Sequence, residues 1–216
     1  LTKNQISGLR YYEDLQKRIP RTEVEEIAAV VDKAAKALHP EIQSQVTGSY
    51  RRGKPDCGDI DIVVARPNID DGDALFDIME HILNELTNQG FLVDHLSWPS
   101  WSEEMENQPK HFKYMGICKL PGDGKIHRHI DILVVPWIHH GAALLYFTGN
   151  DICNRSMRLY ASKRGMRLSD KGLFADVIRG PKRQRVNQGR WVAGRTEREI
   201  FEYLGIDYLE PYEREC

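Results

Sequence analysis

The chain has 216 residues, which is enough for one large domain or two small ones. Hydrophobic residues make up 41% and charged residues 29%, so we expect a buried core and exclude a disordered tail. No apolar run approaches the roughly 18 residues of a membrane span, and no charged-then-apolar leader opens the chain, so we expect neither a membrane protein nor a secreted one.

Charge is unevenly distributed, although the net charge is only −2. Residues 66–110 contain two basic and ten acidic residues, whereas residues 150–200 contain thirteen basic and five acidic ones. A basic C-terminal third fits a polyanionic partner and fits a solvated surface equally well. Four widely spaced cysteines form no CxxC pair, which argues against a disulfide framework or a cysteine zinc site. They are Cys57, Cys118, Cys153 and Cys216.

Two helices are predicted in the first half of the chain. The first begins at Thr22, because Thr22 and Glu25 form a capping box, and it ends at Pro40. Its apolar positions have helical spacing: Val24, Ile27, Val31, Ala34 and Leu38. The second helix is closed by Gly90. Its apolar face consists of Leu75, Met79, Ile82 and Leu86.

Strands are predicted at residues 43–47, 59–65, 91–95, 112–119 and 130–135. The polar stretch Ser97–Lys110 is predicted to be a protruding loop. Helix is predicted from about residue 142 to residue 165, and a capping box at Thr196 and Glu199 starts a short last helix. We therefore predict an α+β protein. Residues 1–136 would form a mixed sheet with helices on one face, and residues 137–216 a smaller α-rich domain.

Three aspartates in or beside apolar strands need an explanation, because a buried charge without a partner is costly. Asp59 and Asp61 share one face of a strand, about 6–7 Å apart, and Asp131 lies in a later strand. One or two Mg²⁺ ions bound by these carboxylates would support phosphoryl or nucleotidyl transfer. The alternative is that the aspartates cap strand ends or pair with Arg52 or Arg128.

A phosphate-binding segment precedes the aspartate pair. Gly48 and Gly58 permit close backbone approach, Ser49 offers a hydroxyl and Arg52 a forked cation. Taken alone, Gly48-Ser49 would more often be a simple turn. With two carboxylates ten residues later, the segment indicates a triphosphate site.

These motifs resemble the nucleotidyltransferase superfamily of the DNA polymerase beta type, and the match extends to family X DNA polymerases in general. The shared segments are residues 17–21, 48–54, 58–61, 144–149, 154–158 and 196–214. The resemblance implies a palm followed by a thumb. It also implies a template-directed DNA polymerase that transfers a nucleotide from a dNTP to a primer 3′-hydroxyl during gap filling or end joining.

The resemblance assigns roles to individual residues. Two Mg²⁺ ions, for which Mn²⁺ can substitute, would be bound by the catalytic residues Asp59, Asp61 and Asp131. The incoming nucleotide would contact Arg18, Gly48, Ser49, Arg52, Gly58, Tyr146, Phe147, Gly149, Asp151 and Asn154. DNA would contact His129, Arg155, Arg158, Lys182, Arg183, Arg185 and Arg190.

Without the resemblance, several of these residues have ordinary interpretations. Arg18 alone would be assigned to a surface salt bridge, Tyr146 and Phe147 to a core, and Asn154 and Arg158 to a solvated helix. His129 stands where relatives usually have arginine, and the loop at residues 97–110 is longer than expected.

Two alternative functions stay open. The first is a template-independent nucleotidyltransferase or one that acts on an acceptor other than DNA, which has no reason to carry Tyr146–Gly149 with Asn154 and Arg158. The second is a non-catalytic module that binds DNA ends, which has no reason to keep all three aspartates.

Further expectations follow from the family. The chain begins at Leu1, and we expect it to lack the N-terminal lyase region and any repair-factor contacts made there. The expected partners are primer-template or gapped DNA and a dNTP, with no membrane. The expected location is the nucleus.

Overall fold

The computed structural model describes residues 1–100 and 110–215, with the side chain of Arg183 left out. The chain divides into two compact units. The first comprises residues 1–50 and 54–136, and the second comprises residues 51–53 and the chain from Trp137 onward. The domain boundary after residue 136 stays a prediction. Among the described residues, no helix is both long enough and apolar enough to cross a bilayer.

The first unit contains most of the regular structure. Its helices are α1 (Lys3–Arg10), α2 (Tyr12–Leu15), α3 (Arg21–Leu38), α4 (Gly48–Arg51, whose last residue packs with the second unit) and α5 (Gly72–Asn88). Its strands are β1 (Ile19–Pro20), β2 (Gln43–Val46), β3 (Asp56–Cys57), β4 (Ile60–Ala65), β5 (Leu92–Ser97), β6 (Phe112–Cys118) and β7 (Arg128–Val134). Five of these strands form one sheet in the order β2-β4-β7-β6-β5.

The five-stranded sheet is mixed, because β4 and β7 are parallel whereas the other pairs are antiparallel. Alternate residues of β4 and β7 are buried with the apolar stripes of α3 and α5 in one core. The strand residues are Ile60, Ile62, Val64, Ile130, Ile132 and Val134, each at most 1% exposed. This arrangement confirms the predicted mixed sheet with helices on one face.

The start of α3 differs from the prediction. The helix begins at Arg21, and its N-cap is Pro20, which makes no side-chain capping hydrogen bond. The predicted capping box at Thr22 is therefore wrong, because the fixed φ of proline already sets the entry of the chain into the helix. Leu38, predicted on the apolar face, is 42% exposed in the last turn.

The second unit contains helices and a sheet. The helices are α6 (His140–Thr148), α7 (Asp151–Lys163) and α8 (Glu197–Leu204), and the strands are β8 (Arg167–Ser169), β9 (Gly172–Ala175) and β10 (Arg190–Ala193). The strands form an antiparallel sheet in the order β10-β9-β8. This sheet was not predicted, because strands of three or four residues show little alternation.

The single helix predicted for residues 142–165 is two helices. Gly149 has φ +67° at the C-terminus of α6, and the Asn150 side chain accepts a hydrogen bond from the Cys153 amide to start α7. The predicted capping box at Thr196 is confirmed, because the Glu199 amide donates to Thr196 Oγ1 at 3.2 Å and the Thr196 amide donates to Glu199 Oε2 at 3.3 Å.

The predicted loop at residues 97–110 is only partly described. Ser97 is the last residue of β5, so the strand runs two residues beyond the predicted end at residue 95. Residues 101–109 lie outside the described residues, and the prediction of a protruding loop stays a prediction.

A buried ion network connects α8 to residue 51 within the second unit. Glu197 is 6% exposed and Arg214 is fully buried. Arg51 donates to both carboxylate oxygens of Glu197 at 2.9 and 2.7 Å, and Arg214 donates to Oε1 at 2.7 Å. Burial acts to raise the pKa of Glu197, but hydrogen bonds from the two guanidinium groups outweigh it, and this pKa lies below its ordinary value.

Replacing Glu197 by glutamine is expected to lower the free energy of unfolding by about 3–5 kcal/mol, because two guanidinium groups stay buried without a carboxylate. Since the pKa of Glu197 is lowered, this stabilisation is present above about pH 4.5 and is lost as the pH falls. Urea unfolding at pH 7 measures it. Glu202→Gln, at an exposed site on the same helix, is the control, and equal stability of the two variants would contradict the prediction.

The buried His140 makes a second pH-dependent contribution. Its ring stacks on Trp137 with centroids 4.9 Å apart, and burial lowers the pKa of His140 to about 4 from 6.5. The unfolded chain therefore binds a proton before the folded chain does, and stability falls as the pH drops from 6.5 towards 4.

We expect His140 to cost about 2 kcal/mol of unfolding free energy between pH 7.5 and pH 5. His140→Gln should remove this part of the pH dependence. Urea unfolding of both proteins at the two pH values tests this. A variant that loses as much stability on acidification as the unmodified chain would rule out the role assigned to His140.

Candidate active site

Two of the three predicted catalytic aspartates are direct neighbours in the sheet. In the parallel pairing of β4 with β7, Asp61 is opposite Asp131, and Ile62 is opposite Ile132. Neighbouring strands lie roughly 4.8 Å apart, so the two carboxylates leave the sheet side by side, on the face away from the core. Asp59 is exposed and precedes β4, which begins at Ile60 and not at Asp59 as predicted.

The Asp131 side chain is largely enclosed, with 15% of it exposed. Its Oδ2 lies 2.7 Å from Lys113 Nζ. Its Oδ1 is buried without a hydrogen-bond partner in the described residues, and His129 Nε2 lies 3.6 Å from it. One oxygen of Asp131 is therefore paired with an ammonium group, and the other is a buried acceptor that receives no hydrogen bond from the described residues.

The two arginines named as possible partners of the aspartates each pair with a glutamate. Arg128 donates to both oxygens of Glu23, at 2.8 and 2.7 Å, and Arg52 pairs with Glu215. Both arginines thus have other carboxylate partners.

The donor set fits a hard divalent cation. Carboxylate oxygens are the ligands that Mg²⁺ and Mn²⁺ prefer, and Oδ1 of Asp131 is a buried acceptor without a donor. Within residues 1–100 and 110–215, no three His, Cys, Asp or Glu side chains converge on one point. In this conformation Lys113 supplies the positive charge that the carboxylate requires.

Gly48 lies beside Asp61. The amide and the hydroxyl of Thr47 both donate to the main-chain oxygen of Asp61, at 2.8 and 3.2 Å. Gly48 has φ +57°, and a Cβ atom there would lie 2.9 Å from Asp61 Oδ2. Only glycine fits this position without moving the carboxylate.

Arg18 and Gly58 are brought together by the short pairing of β1 with β3, in which Ile19 is opposite Cys57. A Cβ atom on Gly58 would lie 3.1 Å from Arg18 Nη1. Arg18 Nη2 also lies 2.8 Å from Asp56 Oδ1, with the arginine side chain 57% exposed. Arg18 therefore forms a surface salt bridge and also lies close to Gly58.

Arg52 belongs to the second unit and is firmly held there. Its Nη1 donates to the main-chain oxygen of Thr148 at 2.6 Å, and its Nε pairs with Glu215. A Cβ atom on Gly149 would lie 3.4 Å from Arg52 Nη1. The structure thus places Arg52 next to the bend at Gly149.

The aromatic pair lies at the end of α6. The Tyr146 and Phe147 rings are in edge contact with centroids 5.2 Å apart, and Tyr146 is 38% exposed. Asn154 donates to the main-chain oxygen of Tyr146 at 2.7 Å, and Arg158 lies over the Tyr146 ring at 5.8 Å. Tyr146, Asn154 and Arg158 line one cleft with Ala142, Leu145, Leu168 and Ser169.

The remaining predicted residues have varied surroundings. Arg155 pairs with Asp151 at 2.6 Å, with both side chains more than 60% exposed. Arg190 pairs with Asp176 at 3.1 Å. Lys182 and Arg185 are exposed, and the side chain of Arg183 lies outside the description.

Lys113 is the residue of this site that the sequence analysis missed. It lies on β6, two residues from Met115, which is opposite Asp131. The period of two along a strand then puts Lys113 on the carboxylate face. This signal is readable only once the pairing of β6 with β7 is known.

Replacing Lys113 by methionine is expected to lower the free energy of unfolding in EDTA by about 1–2 kcal/mol, because Asp131 loses its cation. Millimolar Mg²⁺ should restore part of that loss, since a bound ion replaces the missing charge. Urea unfolding with and without Mg²⁺ measures both effects. Lys33→Met, at an exposed site on α3, is the control, and an equal loss in it would argue against a special role for Lys113.

Comparison with known proteins agrees with this geometry. The family model for the DNA polymerase beta palm matches residues 18–137, and that for the DNA polymerase beta thumb matches residues 143–215. DNA polymerase lambda of Rattus norvegicus is 42% identical over 215 residues, which cover 100% of this chain and 36% of the relative.

Two further relatives are more distant. DNA polymerase lambda of Arabidopsis thaliana is 36% identical over 99% of this chain and 40% of the relative. DNA nucleotidylexotransferase of Homo sapiens is 29% identical over 99% of this chain and 44% of the relative. The chain thus spans less than half the length of each of these proteins. With its palm and thumb matched in order, the chain belongs to the DNA polymerase beta family, as its motifs predict.

Proposed function

We propose that the chain is the catalytic portion of a template-directed DNA polymerase. The observation that carries this proposal is the register of β4 with β7, which sets Asp61 beside Asp131 next to the Gly48-Ser49 segment. Nucleotidyl transfer needs carboxylates and a phosphate cradle in this arrangement. The relatives that support the proposal carry the name DNA polymerase lambda.

The reaction joins the primer 3′-oxygen to the α-phosphorus of the nucleotide, while the bond from that phosphorus to pyrophosphate breaks. Asp131 would lie nearest the 3′-hydroxyl and favour loss of its proton. Asp59 and Asp61, with Asp131, would hold two Mg²⁺ ions, or Mn²⁺ in their place. When bound, such ions supply charge that stabilises the attacking and leaving oxygens.

Residues of the first unit are proposed to bind phosphates. Arg18 offers a forked cation, Ser49 a hydroxyl, and Gly48 and Gly58 unobstructed backbone amides. The close approach of Arg18 to Gly58 supports a shared role for the two residues. His129, 3.6 Å from Asp131, would lie near the primer end.

Residues of the second unit are proposed to bind the nucleotide and the template. Arg52 would contact phosphate, and Tyr146-Phe147 with Gly149 would contact the sugar and disfavour a 2′-hydroxyl. Asp151 and Asn154 would flank the base, and Arg155 and Arg158 would reach the template. Phosphates of the DNA backbone would be bound by Lys182, Arg183, Arg185 and Arg190.

The biological setting is part of the same proposal. Gap filling in base excision repair and end joining would place the protein in the nucleus with gapped or broken DNA. Contacts with repair factors would be made by parts of the protein other than the palm and thumb.

Primer extension on a duplex with a one-nucleotide gap tests the proposal. With Mg²⁺ and each dNTP offered singly, we expect only the complementary nucleotide to be added. Asp131→Asn should lower the rate by about 10³-fold, because a ligand worth several kcal/mol to the transition state is lost. Asp123→Asn, at an exposed site of the first unit, should extend normally.

The other outcomes separate the alternatives. Addition of every nucleotide regardless of template would indicate a template-independent transferase. Binding of DNA without any addition, at DNA concentrations above the measured dissociation constant, would indicate a non-catalytic module and contradict the proposal.

A further inference from the structure

The arginines of the second unit differ in how their charges are compensated. Several pair with carboxylates: Arg51 and Arg214 with Glu197, Arg155 with Asp151, Arg190 with Asp176 and Arg198 with Glu210. Arg167, Arg179 and Arg185 have no carboxylate within salt-bridge distance among the residues that the structure describes. These three residues are here named the arginine cluster.

Backbone pairing brings the arginine cluster together. Arg179 and Arg185 lie directly opposite each other in an antiparallel bridge, which is flanked by the hydrogen bonds of Gly180 with Gln184 and of Val186 with Ile178, each 2.9 Å. Arg179 Nη2 donates to the main-chain oxygen of Met166 at 2.9 Å, beside Arg167. Like charges at directly opposite positions of an antiparallel pair are destabilising unless an anion compensates them.

The Arg167 guanidinium is held in a fixed orientation. It stacks on the Phe174 ring at 4.0 Å, which fixes the plane of the fork. Its Nε is buried and makes no hydrogen bond to any described residue. Burial and then the charge of Arg185 lower the pKa of Arg167, and the charge of Asp170 opposes this only in part.

The other two arginines are also available. Among the described residues, the only side-chain acceptor of Arg185 is Gln188 Oε1 at 3.4 Å, and Arg185 is exposed. Arg179 uses one nitrogen on a carbonyl oxygen. Three guanidinium groups present more donors than one carboxylate can accept, whereas a phosphate with its several oxygens accepts from more than one fork.

We propose that Arg167, Arg179 and Arg185 form a phosphate subsite that binds a backbone phosphodiester of the DNA substrate. This inference rests on the proposed function, because it takes DNA to be the substrate. It adds Arg167 and Arg179 to the expected DNA contacts. It also predicts that Arg185 contributes more to DNA binding than Arg190, whose charge is shared with Asp176.

DNA binding in EDTA without nucleotide tests the subsite. Fluorescence anisotropy with a gapped duplex, at several salt concentrations, is measured for Arg167→Gln, Arg185→Gln and the double variant. We expect about a tenfold weaker affinity in the double variant, independent of DNA sequence, and a salt slope smaller by about 1. Arg198→Gln, which removes an exposed but paired arginine of the same unit, should bind within about twofold of the unmodified chain.

Each other result has a definite meaning. An unchanged affinity and salt slope in the exposed-site variant Arg185→Gln and in a folded double variant would overturn the inference. Equal losses in Arg198→Gln would also overturn it, because the effect would then be one of net charge. Tight binding of inorganic phosphate by calorimetry, with DNA affinity intact in the variants, would assign the subsite to a small anion and overturn the DNA assignment.

The test is separable from that of the proposed function. If the chain extends primers but the variants bind DNA normally, only the subsite fails. If the chain adds no nucleotide while the variants still lose DNA affinity and salt dependence, the subsite stands and the polymerase assignment fails.

Discussion

The parallel pairing of β4 with β7 is the constraint on which the first unit depends. Its register puts Ile62 beside Ile132 in the core and Asp61 beside Asp131 on the opposite face. A slip of one residue would bury the carboxylates and expose the isoleucines. The hydrophobic effect therefore fixes the register, and the register fixes the carboxylates, so one set of contacts determines both core and candidate site.

Placing carboxylates side by side has an electrostatic cost, and the structure offsets it with cations from distant segments. Lys113 approaches Asp131 from the neighbouring strand. In the second unit, two arginines enclose Glu197 in the same manner. The three guanidinium groups of the arginine cluster are the opposite case, in which positive charge accumulates without a carboxylate. Such an excess is typical of a surface that meets an anion outside the chain.

Sequence patterns predicted the helices and strands whose apolar residues recur at a regular spacing. They missed the features that depend on which segments pair with each other. The Ile and Val runs of β4 and β7 follow the strand period of two, whereas Asp59 of the D-x-D motif precedes β4. The predicted capping box at Thr196 is present. The one at Thr22 is absent, because Pro20 takes the N-cap position and α3 begins at Arg21. The short sheet of the second unit and the approach of Lys113 to Asp131 depend on contacts between segments that no linear pattern encodes.

The position of Arg51 has a consequence for dividing this protein. Arg51 lies two residues after Ser49 in the chain, yet its side chain is enclosed with Glu197, 146 positions away. A cut after residue 136 would leave the guanidinium on one fragment and its carboxylate on the other. Each fragment would then contain a charged side chain whose partner lies on the other fragment. We expect the two fragments to recover their structure by reassociating.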